Sequence, residues 1–319
     1  MRLKLVPQNT SWNFFARSKL WIGFSIIMVI LSLICFFVQS LNFGIDFRGG
    51  TSIRTESSEP IDIAAYRNAL SSLDLGDITI TEVFDPSFTD DQNVAMVRIQ
   101  AQPDQEAATS VLVENSLQQL RNVNEDIKFI SVESVGPKVS GELIKTAMLA
   151  VILAIAAVLF YIWIRFEWQF AVGAISALIH DVLLTIGIFS LLQIKFDLAI
   201  IAAILTIVGY SLNDTVVVFD RVRENLRKFK KRSLVEVMNL SINETMSRTV
   251  MTSVTTLIAL ISLFILGGDV IRGFVFAMIW GVVVGTYSSI FIASAILLWT
   301  GVKRDWSKSN AEAGTQVPQ

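Results

Sequence analysis

Six long apolar stretches constrain this chain more than any other feature: residues 20–38, 147–164, 170–192, 198–219, 250–266 and 274–299. A helix rises 1.5 Å per residue, so about 20 predominantly apolar residues cross a bilayer's hydrocarbon core. Each stretch is close to that length, and together they predict six transmembrane helices. Hydrophobic residues make up 53% of the chain and charged ones only 17%, which suits a polytopic membrane protein. Arg2, Lys4, Arg17 and Lys19 precede the first stretch, as in a signal peptide. No small-x-small cleavage site follows and the run is longer than an h-region, so it reads as a retained anchor. Cys35, the single cysteine, lies within it, and no intrachain disulfide is open to one cysteine.

Lysine and arginine beside the spans set the orientation. They collect in the N-terminal segment, in the loop after the fourth span (Arg221, Arg223, Arg227, Lys228, Lys230, Lys231, Arg232) and in the tail (Lys303, Arg304, Lys308). Six spans put all three on one face, expected to be cytoplasmic. The division expected is 1–41 for the N-terminus and first helix, 42–141 for an outside domain, 142–300 for helices two to six with a basic cytoplasmic loop at 220–248, and 301–319 for a disordered cytoplasmic tail. Residues 42–140 hold 16 Asp and Glu against 7 Lys and Arg, a net of −9, whereas the rest nets +7. An acidic outside domain argues against a nucleic-acid or anionic-lipid partner there. The basic loop fixes topology and can meet anionic lipid.

Within the outside domain, "TSIRTE" reads as a strand and 61–73 as an amphipathic helix. "DITITEVF" and "NVAMVRIQ" alternate with period two, 107–123 reads as a second helix and "DIKFISVESV" as a last strand. The order βαββαβ predicts an α+β ferredoxin-like fold, an antiparallel sheet with helices on one face, inserted between helices one and two. No His, Cys and carboxylate set has metal spacing. The single histidine, His180, lies in the membrane, so no catalytic triad is expected.

The membrane segment carries ionisable residues that need a reason to be there. A charge near the bilayer centre costs about 2.5 to 3.5 kcal/mol even on the lenient insertion scale, so it persists only when paired, neutralised or hydrated. Asp214 lies 16 residues from the outer end of the fourth stretch, and Arg248 lies 18 from that of the fifth. Those are depths of roughly 24 and 27 Å, nearly one level, which makes Arg248 the expected partner. Tyr210 and Ser211 share the face of Asp214, with Asn213 beside it. Thr252, Thr255 and Thr256 extend a polar stripe outward from Arg248. His180 and Asp181 bring a third helix to the inner half of the membrane. A buried carboxylate that responds to the position of an arginine can pass protons, against the simpler reading of a static ion pair. In the sixth stretch Gly273, Ala277, Gly281, Gly285, Ser289 and Ala293 recur every four residues, a small-residue ridge that packing explains without chemistry. No P-loop is present, so neither ATPase activity nor any enzymatic reaction is expected. A proton moving through the membrane potential releases about 2.3 kcal/mol per 100 mV, which leaves protons as the coupling ion and no other cofactor or metal.

"FGIDFRGGTSI" at 43–53 and "VGYSLNDTVVVFDRVRENLR" at 208–227 resemble the signature after the first span and the fourth span of the SecD/SecF protein-export family, within the resistance-nodulation-division superfamily. The resemblance covers almost the whole chain. It implies a signature turn at Gly44, Asp46, Arg48, Gly49 and Gly50. It places the family's functional positions at Asp214 and Arg248 as a proton relay, with Ser211, Asn213, Thr252, His180 and Asp181 as supporting positions inferred from location. It implies residence in the cytoplasmic membrane and partnership with the six-span subunit SecD, with the Sec channel and its accessory subunits, and with an exported unfolded polypeptide. The proton-motive force would then assist late-stage export. The competing expectations are half of a small-molecule or lipid efflux pump, and a non-conducting scaffold that stabilises its partner.

Overall fold

The computed structural model describes residues 10–302 except 74, 84, 87, 90 and 101–109. The first span, α1 (Ser18–Gln39), leads into a two-residue strand, β1 (Asn42–Phe43), and a single helical turn, α2 (Ile45–Arg48). The sheet domain, named the outside domain for its expected location, follows as β2 (Gly50–Ser57), α3 (Ile63–Ser71), β3 (Ile78–Val83), β4 (Asn93–Gln100), α4 (Ser110–Arg121) and β5 (Lys128–Val135). The chain returns to the membrane through α5 (Pro137–Arg165) and α6 (Trp168–Leu192). A two-residue strand, β6 (Lys195–Phe196), then precedes α7 (Leu198–Lys228) and α8 (Leu234–Leu266). The last span is α9 (Gly268–Ser288), a π-helical turn (Ser289–Ala293) and α10 (Ser294–Thr300). Among the described residues, six helices are long and apolar enough to cross a membrane, as the hydropathy pattern predicts.

The outside domain has the βαββαβ order read from periodicity, and its four strands pair antiparallel in the order β3-β4-β2-β5. Period-two alternation sends Ile53, Ile80, Val97 and Ile99 to the side covered by the helices. There they meet Tyr66, Leu70 and Leu120, forming one core. Asp62 starts α3 by accepting hydrogen bonds from the amides of Ala64 and Ala65 at 2.9 and 3.0 Å, which satisfies two of the orphan donors at a helix start. The expected start of the second helix, 107–109, lies outside the described residues.

The stretch 220–248, expected as a loop, is helical except at its turn. The α7 helix runs on to Lys228, and α8 begins at Leu234 behind Ser233, whose hydroxyl accepts from the Glu236 amide while Glu236 reaches back to the Ser233 amide. This capping box and the polar contacts between the arms hold the hairpin. Asn225 donates to Ser241 at 3.0 Å and to Glu244 at 2.6 Å, and Arg221 pairs with Glu244 at 2.7 Å. Charged side chains hid this helix from a hydropathy reading, because they satisfy one another beyond the apolar span. The N-terminal segment docks on α8, where Asn243 exchanges hydrogen bonds with the backbone of Trp12 and Asn239 accepts from the Phe14 amide. The tail from residue 303 onward, expected to be disordered, lies outside the described residues.

At the outer ends of the spans, β1 pairs in parallel with β6. This joins the segment that leaves the first span to the start of the fourth, and it positions everything that follows.

Candidate functional site

Along α7 the buried residues recur at helical spacing: Ile200, Ala203, Ile204, Ile207, Ser211, Asp214, Thr215, Val218. One face of the helix is therefore apolar toward its outer half and polar at three successive positions deeper down. The small-residue ridge of α9 lets α7 approach closely at that level. A Cβ at Gly281 would collide with Ile207, and one at Gly285 would come within 3.0 Å of Ser211 Cβ. Close approach turns isolated polar residues into an interhelical cluster.

Asp181 is the centre of that cluster. It is 1% exposed, and its Oδ2 accepts hydrogen bonds from Ser211 of α7 at 2.6 Å and from Ser288 of α9 at 2.8 Å. Its Oδ1 lies 3.0 Å from His180 Nδ1. One carboxylate thus ties three spans together. His180 is 5% exposed, its Nε2 has no hydrogen-bond partner, and its ring stacks against Tyr287, with centroids 6.1 Å apart. Tyr287 in turn bonds Ser25 on the first span at 2.8 Å.

Next to this cluster, Ser289 meets the Thr215 hydroxyl at 2.8 Å and also reaches the backbone carbonyls of Ser211 and Gly285. Ser289 opens the π-helical turn, a feature that in helices frequently marks a functional site. The sixth helix therefore adds interhelical hydrogen bonds to the close packing expected of its ridge. Ser288, Thr215 and Tyr287 were missed from sequence because a hydroxyl in an apolar helix ordinarily bonds its own backbone; only the partner across the interface distinguishes these. The serine pair beside Gly285 was the available signal.

Asp214 sits one turn deeper on α7. It is 3% exposed, and its Oδ2 is buried without a hydrogen-bond partner. The expected pairing with Arg248 is not closed. Arg248 acts on Asp214 through space, but no ion pair forms between them among the described residues, and Arg248 is exposed on the surface of α8. The depth match from residue counting places the two at one level but cannot give their rotation about the helix axes, which is what turns Arg248 outward. Asn213 is likewise exposed, away from the cluster. Thr252 spends its hydroxyl on the backbone of Arg248 and Thr249. Further unpartnered buried oxygens lie nearby in sequence, at Tyr210 and Thr249. No group of three or more metal-ligating side chains is assembled among the described residues.

The signature residues lie at the outer end of the same helix. The Gly44 amide donates to Phe196 at 2.8 Å, and Asp46 Oδ2 accepts from the Leu198 amide at 3.0 Å. A carboxylate at the first turn of α7 satisfies an orphan donor and complements the helix dipole. Gly49 and Gly50 have φ of 71° and 131°, values that glycine alone adopts readily, and they turn the chain from α2 into β2. The signature is thus a bolt between the outside domain and the span that carries Asp214.

Residues 115–303 match the family model for the C-terminal region of SecD/SecF protein export membrane proteins, and residues 36–61 match the SecD/SecF GG motif. The chain is 59% identical over 315 residues to a protein translocase subunit SecF of Cereibacter sphaeroides, covering 99% of this chain and 97% of that one. It is 57% identical to the subunit of that name from Rhodobacter capsulatus, covering 97% and 95%. Among solved structures it resembles SecDF, a translocon-associated membrane protein from Thermus thermophilus, with a TM-score of 0.80 and 34% identity over 94% of this chain. A super-membrane-facing form of SecDF gives a TM-score of 0.68 at 34% identity. The chain spans 40% and 41% of those two longer chains.

Proposed function

Because the chain belongs to the SecD/SecF family of protein export membrane proteins, we propose that it serves as a translocase subunit of the Sec machinery, coupling proton movement through its membrane helices to late-stage export of preproteins. Its partners in this reading are a second six-span subunit, SecD, the Sec channel and the exported polypeptide. Its N- and C-termini face the cytoplasm, and the sheet domain lies outside.

One observation carries the proposal: a buried carboxylate without a hydrogen bond, Asp214, beside a three-helix polar clamp and a through-space arginine. An ionised, unpaired carboxylate at this depth is costly. The arrangement with Arg248 turned outward therefore fits a carboxyl that holds its proton. Loss of the proton leaves a charge that Arg248 neutralises by swinging inward, so proton exchange and rotation of α7 against α8 become one event. Arg248 and Asn213 are exposed at membrane depth, where lipid is a poor neighbour for a guanidinium. A partner subunit covering that face would complete the path.

Transmission to the outside follows from the bolt. Asp214 is 16 residues from Leu198, roughly 24 Å along the helix, and Leu198 is held by Asp46 and by the β1–β6 pairing. Displacing α7 moves residues 42–48, and with them the outside domain. Each proton contributes about 2.3 kcal/mol per 100 mV, enough to bias such a two-state hinge.

The test compares wild type and Asp214→Asn in inverted membrane vesicles, following completion of a stalled precursor under an imposed proton gradient without ATP, at equal assembly of the complex. Abolished completion is expected. Unaltered completion would reduce Asp214 to a packing residue and the chain to a scaffold.

A further inference from the structure

A groove opens at the outer ends of the second and fourth spans, away from the proton site. One wall is a stripe of α5, with Ile144, Met148, Val151 and Ile152 on a single helical face. Facing it are the rings of Phe43, Phe47 and Phe196, packed with centroids 5.8 to 6.1 Å apart. The groove holds about 420 Å³, within the range of pockets that bury small molecules. Among the described residues its only charged lining residue is Arg48, which is exposed at the rim.

Arg48 and Phe43 also line a small polar crevice of about 40 Å³ on the side of the outside domain, together with Asp77, Thr79 and Arg98. Arg98 has a buried Nε without a hydrogen-bond partner, and its Nη2 has only a weak contact with Met96 Sδ at 3.9 Å. Burial holds the Arg98 guanidinium below its ordinary range; Asp197 opposes this and the charge of Arg48 adds to it. Two cations therefore share a crevice, and neither forms an ion pair among the described residues. The crevice carries one carboxylate of its own, Asp77, which is exposed.

We infer that groove and crevice together bind an anionic phospholipid, one acyl chain lying along the α5 stripe and the phosphate meeting Arg48 and Arg98. The two compartments share Phe43 and Arg48, so a single amphiphile can occupy both. The groove is open to the bilayer where Met148 and Ile152 are 61% and 59% exposed, and the arginines lie where the first span has just ended, at headgroup level. The domain as a whole is acidic, but a helix of a partner subunit would fill the apolar part and leave two cations in the crevice with the single carboxylate of Asp77. A phospholipid supplies the chain and the charge, and it wedges between α5 and the bolt at the outer end of α7.

The test places the full chain, with its partner subunit where that co-purifies, in nanodiscs of phosphatidylcholine mixed with phosphatidylglycerol, and counts retained lipids by native mass spectrometry. Wild type is expected to keep one phosphatidylglycerol, favoured about 30-fold over phosphatidylcholine, the preference set by two basic residues near a membrane surface. Arg48→Gln with Arg98→Gln should abolish the preference while a lipid is still retained. Ala147→Trp, which fills the groove and leaves both arginines in place, should expel the lipid. Equal retention of the two lipids by wild type, or unchanged retention in Ala147→Trp, overturns the inference. So does labelling of Met148→Cys by a membrane-soluble maleimide that is blocked only when the partner subunit is present, which would assign the groove to a partner helix.

Discussion

Removing the Ser211 hydroxyl tests whether Asp181 holds the three spans together. The Ser211 bond to Asp181, at 2.6 Å, has the length of a charge-assisted O–H···O⁻ bond. The Ser288 bond is longer, at 2.8 Å, and its hydroxyl is shared with the Gly285 carbonyl at 3.1 Å. Interhelical hydrogen bonds in membranes couple by about 0.6 kcal/mol on average and about 1.7 at most, equivalent to ~3-fold and ~18-fold in an equilibrium constant. Ser211→Ala combined with Asp181→Ala should approach the upper figure. Ser288→Ala combined with Asp181→Ala should fall at or below the average, because Ser288 keeps an alternative acceptor. The cavity left by Asp181→Ala appears on both sides of each cycle and cancels. Detergent-titration unfolding of the four variants in each cycle gives the coupling energies. Coupling below about 0.3 kcal/mol for both pairs, or a larger value for Ser288 than for Ser211, would refute the assignment of Asp181 as the clamp.

Other consequences are equally open to measurement. Gly281→Leu should cost about 1 to 3 kcal/mol by overpacking against Ile207, whereas Gly209→Ala, with nothing within 4 Å of the added carbon, should be tolerated; thermal stability in detergent separates them. Asp46→Ala removes the acceptor for the Leu198 amide and should destabilise the outer turn of α7 by about 0.5 to 2 kcal/mol, seen as faster amide hydrogen exchange at residues 198–201 with the inner half of the helix unchanged. Tyr66 is 2% exposed and its hydroxyl makes no hydrogen bond of good geometry among the described residues; burial raises its pKa above the ordinary value of 10.0, and the nearby Thr55 side chain offsets this only in part. A phenol that holds its proton more tightly in the folded state stabilises below pH 10 and withdraws that stability as pH climbs past it. Stability of the outside domain should therefore fall above about pH 10 in wild type, and less so in Tyr66→Phe, which should also be neutral or stabilising at pH 7; alkaline melts monitored by exchange within β2 and β4 report both.

Hydropathy alone determined the six spans, since about 20 apolar residues have no other stable home, and period-two alternation located the strands of the outside domain along the chain. The signature glycines were legible through the family resemblance, and Asp214 because a carboxylate inside an apolar run is conspicuous. Rotation about the helix axes was decided only in three dimensions. Sequence spacing fixes how deep a residue lies but not which neighbour it faces. Arg248 therefore turned outward from the carboxylate it was expected to pair with, and Asp181 emerged as the hub through Ser211 and Ser288. Tertiary packing also extended α7 and α8 beyond the membrane, because cross-hairpin pairs such as Arg221 with Glu244 satisfy charges that a composition reading assigns to a loop. A serine in an apolar helix has the same sequence signal whether it bonds its own backbone or a carboxylate across the interface, and only the packed neighbour makes the difference.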